Sequence, residues 1–233
     1  MKRINKTFYC IIAVAVILLT GCISKELQEA ASVACATIDA THYSVSKGAQ
    51  TKTGYGSFKS LNLEISGLDS VPADFPGQRL ASVAAVVFIG KLKPEDYAGY
   101  SKVEMTLKRG NGEEEFLYDI KRLKNVENET VIIDSLLHVL KEKPGPMYAD
   151  VVDTTVIGSE LQWRLYDLFQ RLDSVDGPIT KRTYNGFRFG EKEETKQPYT
   201  TVWCTIKTEN TTNRATFSVD ETTNKVVGVG LNE

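Results

Sequence analysis

Apolar positions along the chain fall into runs with three different periods. Phe8 to Leu19 form an unbroken apolar stretch of twelve residues. Leu27, Ala30, Ala31, Ala34 and Ile38 then recur at helical spacing, predicting a helix over residues 25–40. "HYSVSKGAQTKTGYGS", residues 42–57, turns polar and glycine-containing and reads as a loop or a weak strand. In "FKSLNLEIS", residues 58–66, Leu61, Leu63 and Ile65 alternate as a half-buried strand requires. A turn-rich stretch leads to Leu80, Val83, Ala84 and Val87, a helix over about 77–91 that "KLKPEDYAGY" ends. Val103, Met105 and Leu107 alternate up to "RGNGE", and Phe116, Tyr118 and Ile120 alternate away from it. This predicts a hairpin turning at Asn111-Gly112. Ile133, Leu136, Leu137 and Leu140 mark a helix over about 127–142.

"KEKPGPM" places two prolines around a glycine and reads as the main boundary. Beyond it, Ile157, Leu161, Leu165, Leu168 and Leu172 predict a helix over about 154–172. Strands follow at roughly 180–190, 198–208, 213–220 and 225–231; Gly228 and Gly230 occupy one face of the last, and Val227, Val229 and Leu231 the other. The expected fold is α+β, with helices packed on antiparallel sheets in two small modules. The division is leader 1–21, tether with helix and loop 22–57, N-terminal module 58–143, and C-terminal helix plus sheet 144–233.

The first apolar run is too short to cross a bilayer, which takes about 20 residues. Lys2, Arg3 and Lys6 precede it, and Leu19-Thr20-Gly21-Cys22 closes it. A basic head, a short apolar middle and small residues at the exit describe a secretory signal peptide. The closing tetrapeptide resembles the lipobox of bacterial lipoproteins. That resemblance implies a diacylglycerol thioether on Cys22, cleavage before it, and attachment to a membrane without a spanning helix, since two or more acyl chains hold stably. Ile23 follows the cysteine where an Asp resembles an inner-membrane retention signal, so the implied location is the outer membrane of a bacterial envelope. The palmitate-type anchor makes the membrane the first partner.

Residues 154–233, a helix and long strands ending in "NKVVGVGLNE", resemble the C-terminal part of cystatin-like or NTF2-like domains. The likeness implies a curved sheet over a helix. Those folds host enzymes, binders and scaffolds alike, so it implies no activity.

The formal charge is −2, and −5 once the leader's three basic residues are gone. Scattered charges of this sign give no footprint for nucleic acid. Four cysteines reduce to three without Cys10, and Cys35 and Cys204 remain either as a disulfide or as two packed thiols. The two histidines, His42 and His138, with no clustered cysteines, give a zinc site little support. No nucleophile elbow, phosphate loop or dinucleotide fingerprint is present, so no catalytic residue, metal ligand or cofactor is assigned. Asp150 and Asp153 read as the acidic start of a helix. In "QWRLYDLFQ", Leu165, Leu168 and Phe169 read as core and Trp163 as its edge. Trp203, alternating with Val202 and Cys204, is the candidate ligand-contacting residue.

The favoured function is a non-enzymatic one, binding an envelope protein or a small ligand. The alternatives are an envelope enzyme with a divergent site and a cystatin-like inhibitor module.

Overall fold

A computed structural model describes residues 23–110, 112–140 and 146–232. The leader, Cys22, Asn111 and the "KEKPG" of the expected boundary lie outside these residues. The fold is α+β with two open four-stranded sheets. The chain divides into two compact units, one of residues up to 73 with 87–120, the other of residues 74–86 with 121–233.

The first unit begins with α1 (Lys25–Thr37), whose small apolar stripe Leu27, Ala30, Ala31, Ala34 and Cys35 is buried. Ser24 caps it, its Oγ accepting from Leu27 N at 3.3 Å. Then come β1 (His42–Lys52) and β2 (Gly56–Ser66), paired antiparallel along their whole length. The segment left open as loop or weak strand is thus an eleven-residue edge strand. Its apolar pattern is poor because only Val45 points into the core, and a polar edge discourages pairing with other chains.

Helix α2 (Gly77–Lys91) connects β2 to β3 (Lys102–Arg109), which pairs with β2 in parallel. This corrects the expectation of purely antiparallel sheets: parallel neighbours need a crossover, and α2 supplies it. β4 (Gly112–Asp119) returns antiparallel on β3. The hairpin stands one residue earlier than expected. Arg109 pairs with Gly112, so the turn falls before Gly112, and Gly110 takes the positive φ of 55°. Leu61, Leu63, Ile65, Val103, Met105 and Leu107 form the buried face of this sheet. On the other face, the mostly buried Glu104 accepts from Gln50 and from Lys52, the latter at 2.5 Å.

The division between the units runs through α2, whose residues up to Val86 group with the second unit. That unit continues with α3 (Ile120–Val139), α4 (Pro146–Val151), α5 (Ser159–Asp176) and the meander β5 (Ile179–Glu191), β6 (Pro198–Thr208), β7 (Thr212–Asp220) and β8 (Lys225–Asn232). The expected boundary after residue 143 instead falls inside it. Val126, Ile133, Leu136, Leu137 and Leu140 of α3 and its end share one core with Val202, Cys204, Ile206, Phe217 and Val219 of the sheet. Helix α3 also starts seven residues earlier than expected, because Leu123 and Val126 are buried within its polar opening turns.

Two further differences come from local backbone chemistry. The predicted helix over 154–172 begins at Ser159, because Asp153 Oδ1 accepts from Thr155 N at 3.0 Å and Thr155 Oγ1 at 2.6 Å and fixes a turn there. Asp150 and Asp153 therefore do not open one helix. A bulge between Ser218 and Val219 brings Val226 of β8, rather than Val227, fully into the core.

Candidate functional site

Helix α3 carries two groups of polar side chains, both within the second unit. Asp134 and His138 lie four residues apart and so share a helix face. Opposite them runs the first half of β5, where Arg182 and Tyr184 alternate onto one side. These residues line an open cleft of about 440 Å³ with Leu137, Ile179, Thr180 and Lys181. A second hollow of about 470 Å³ lies on the other side of Asp134 and His138, lined by Val131, Ser135, Val139, Asp150 and Val151.

A β-bulge sets which β5 residues face α3. Tyr184 pairs with Cys204, Gly186 with Trp203, and Phe187 with Val202, so Asn185 is an extra residue. The parity of the strand changes there: Arg182 and Tyr184 face α3 before the bulge, Phe187 and Phe189 after it. Past the bulge, the Ser82 hydroxyl of α2 accepts from Phe187 N at 2.8 Å and covers that part of the β5 edge.

Inside the cleft Asp134 is the hub. Its Oδ1 accepts from Arg182 Nη1 at 2.9 Å and from the Tyr184 hydroxyl at 2.7 Å. The Tyr184 oxygen also lies 3.2 Å from Thr130 O. A phenol has one hydrogen, and the Asp134 oxygen, at the shorter distance, is the better acceptor. Burial and the Asp134 carboxylate push the Tyr184 pKa far above its ordinary value. Cys204, paired with Tyr184 in the core, is pushed up to about 11 by burial. It is a packed thiol rather than a nucleophile. Both Cys35 and Cys204 are free and buried, which settles the two readings left open by the sequence in favour of thiols.

The second polar group lies nearer the start of α3 and is buried. Arg122 Nε donates to Glu221 Oε1 at 3.0 Å, and its Nη2 donates to Gly190 O and Tyr199 O at 3.0 and 3.1 Å. The guanidinium also rests 4.9 Å from the Phe189 ring centre. Thr200 Oγ1 donates to Glu221 Oε1 at 2.8 Å. Beside them Glu129 is fully buried; Asn125 Nδ2 donates to its Oε1 at 3.3 Å, and the Thr200 hydroxyl is a second hydrogen-bonding neighbour. Its Oε2 has no hydrogen-bond partner among the described residues. Burial, reinforced by the nearby Glu221 charge, pushes its pKa up to about 7.

Trp203 lines neither hollow. It sits half-buried on the face of β6 opposite Val202 and Cys204, and the Arg79 guanidinium of α2 lies 4.5 Å from its ring centre. Burial and the charge of Arg214 lower the Arg79 pKa. Trp163 is half-exposed on α5, edge-on to Tyr166; the side chains of Leu168 and Phe169, expected as core, lie outside the described set. His138, read from sequence as a flanking surface residue, is exposed but stands between the two hollows. Its spacing from Asp134 was the available signal; Arg182 and Tyr184 carried none until the bulge fixed their direction. Among the described residues no three of His, Cys, Asp and Glu gather as a metal ion would require. Compared with protein-family models, curated proteins and solved structures, the chain matches none.

Proposed function

We propose that this chain is a bacterial envelope lipoprotein, held to the outer membrane through acylated Cys22, and that its second unit binds a small molecule in the cleft between α3 and β5. The observation that carries the binding role is the convergence of Asp134, His138, Lys181, Arg182 and Tyr184 on one open cleft of about 440 Å³. That volume lies in the range of small-molecule sites, about 300–1,000 Å³.

The same geometry favours binding over catalysis. A nucleophile or general base is ordinarily held by a base or an orienting partner within hydrogen-bond reach. His138 makes no hydrogen bond among the described residues, and Tyr184 is held protonated at neutral pH by burial and by Asp134. Asp134 is fixed by Arg182 and Tyr184 instead of being directed at a reacting group. The cleft is a pre-organised wall with no activated group on it.

The anchor follows from the leader pattern that ends at Cys22. Two experiments test the two halves. Cys22→Ser should abolish labelling by a clickable fatty acid, and persistent labelling ends the lipoprotein reading. A fragment collection of mixed charge should be screened by NMR against the full chain in detergent. Saturable shifts at His138 and Tyr184 are expected, and a collection in which no fragment reaches these residues ends the binding reading.

A further inference from the structure

We infer that the α3–β5 cleft recognises an oxyanion, a carboxylate or phosphate group of a small molecule, with Lys181, Arg182 and His138 as its contacts. The inference rests on the binding role proposed above and goes further, to the chemistry of the ligand.

The argument is an account of donors and acceptors. Among the described residues Asp134 is the only carboxylate lining the cleft, and its Oδ1 already takes hydrogen bonds from Arg182 and Tyr184. The Tyr184 hydrogen is thereby used. Thr180 Oγ1 donates to Lys207 O at 3.1 Å, so its hydrogen is used as well. Beside the second Asp134 oxygen, Oδ2, what is left unspent is donor. A guanidinium has five N–H groups, and Asp134 engages Arg182 through Nη1. Lys181 is exposed and makes no ion pair among the described residues, and the exposed His138 imidazole makes no hydrogen bond among them. A ligand that satisfies this wall must bring acceptors, and the two cations favour negative ones. Arginine and lysine together suit a carboxylate or phosphate, the first by its planar fork, the second as a mobile point charge.

The neighbouring hollow differs in the direction that sharpens the choice. It presents Val131, Val139 and Val151 with the carboxylate of Asp150, and neither Lys181 nor Arg182 lines it. A negative group is therefore drawn to the β5 side of His138 and repelled from the α4 side.

The test uses the full chain in detergent micelles at constant ionic strength, titrated in separate series with inorganic phosphate, succinate and, as a control, chloride. NMR follows the side-chain signals of Arg182 and His138. Saturable shifts with phosphate or succinate and none with chloride are expected; which of the two binds tighter identifies the oxyanion source. Lys181→Ala, a change at an exposed side chain, should weaken binding about tenfold, the scale of one charge-assisted hydrogen bond. Lys192→Ala, whose ammonium faces Asp220 outside the cleft, should leave it unchanged. Linear shifts shared with chloride, or equal affinity in the Lys181 variant, overturn the inference. If neutral or cationic fragments bind the cleft while no anion does, the binding role stands and the oxyanion assignment falls. If nothing of any charge binds, both fall.

Discussion

Arg122 and Glu221 lie 99 positions apart and meet as an ion pair that joins the first turn of α3 to the end of β7, with Nε 3.0 Å from Oε1. The same guanidinium fills the carbonyls of Gly190 and Tyr199, so it ties α3 to β5 and β6 as well. Arg122→Ala would leave a largely buried carboxylate without its counter-charge and two carbonyls without a donor. We expect a loss of about 3 kcal/mol, the low end for breaking such a pair, because the Arg122 side chain keeps 23% of its exposure. Urea denaturation followed by a probe in the sheet of the second unit measures it. The double variant Arg122→Met with Glu221→Leu should recover most of the loss, since an apolar pair of similar volume avoids the unpaired charge. A double variant no better than Arg122→Ala would show that the carbonyl bonds, rather than the charge pair, hold the helix.

Glu129 gives this region a pH dependence with a definite sign. Its carboxyl titrates at 4.5 as a free side chain and at about 7 in the fold. Between those values the folded state holds the proton more tightly than the unfolded chain. The stability that the neutral acid contributes is therefore complete below pH 4.5 and is lost as pH rises through 7. The span corresponds to about 3 kcal/mol. Glu129→Gln keeps a neutral group and should remove this slope: the two proteins should match near pH 4.5, and the variant should be the more stable at pH 8. Amide exchange of Val202 and Cys204, core residues of β6, reads the difference. Equal protection at pH 8 would mean that Glu129 is ionised or hydrated in the native state.

The sequence showed these elements unevenly, for physical reasons. Strands such as β2 and β6 were legible because their alternation answers to one buried face. The edge strand β1 was not, since backbone pairing to β2 holds it while its side chains stay polar. The opening of α3 was missed because Arg122, Asn125 and Glu129 look like a solvated surface; Arg122 is instead received by Glu221, Gly190 and Tyr199, partners distant in sequence, and Glu129 is fully buried. Of the candidate site, only the Asp134 and His138 spacing was visible. Arg182 and Tyr184 face it from before the bulge at Asn185 and Gly186, Lys181 follows a second register shift between Ile179 and Lys181, and no alternation rule foresees either shift. Trp203 was singled out by its alternation with Val202 and Cys204, but Arg79 of α2 covers it, a contact between segments over a hundred residues apart.

Gly186 marks that contact. A methyl group added there would stand 2.8 Å from Arg79 Cβ and 3.0 Å from its Cα, closer than packed carbons approach. Gly186→Ala should therefore push the start of α2 away from β5, break the Ser82 to Phe187 bond and uncover Trp203. The chain has two tryptophans, and Trp163 is already half-exposed. In a Trp163→Phe background, acrylamide should quench Trp203 fluorescence weakly, and addition of Gly186→Ala or Arg79→Ala should raise the quenching several-fold. Arg79→Ala should also cost about 1 kcal/mol for the lost guanidinium–indole contact. Strong quenching without either change would place Trp203 in solvent and restore it as a ligand-contacting candidate.

The proposed anchor makes a prediction of distance. Ser24 caps α1, so only Ile23 separates Cys22 from the first ordered hydrogen bond of the body. From Cys22 to Ser24 an extended chain spans about 7 Å. An acylated Cys22 would thus hold Lys25, one residue further on, within about 10 Å of it, close to the Debye length of roughly 8 Å at physiological salt. A nitroxide or bimane label at Lys25→Cys tests this, since Cys35 and Cys204 are buried and compete poorly for the reagent. Lipids carrying a quencher near the headgroup should quench the label strongly in the native spacing. Fifteen Gly/Ser residues inserted between Ile23 and Ser24 should relieve the quenching, because such a linker has a root-mean-square reach of about 20 Å. The insertion leaves fatty-acid labelling of Cys22 intact, so the comparison separates tether length from acylation. Equal quenching in both proteins would mean that α1 meets the membrane by contacts of its own, and none in either would mean that the chain does not leave the bilayer at Cys22.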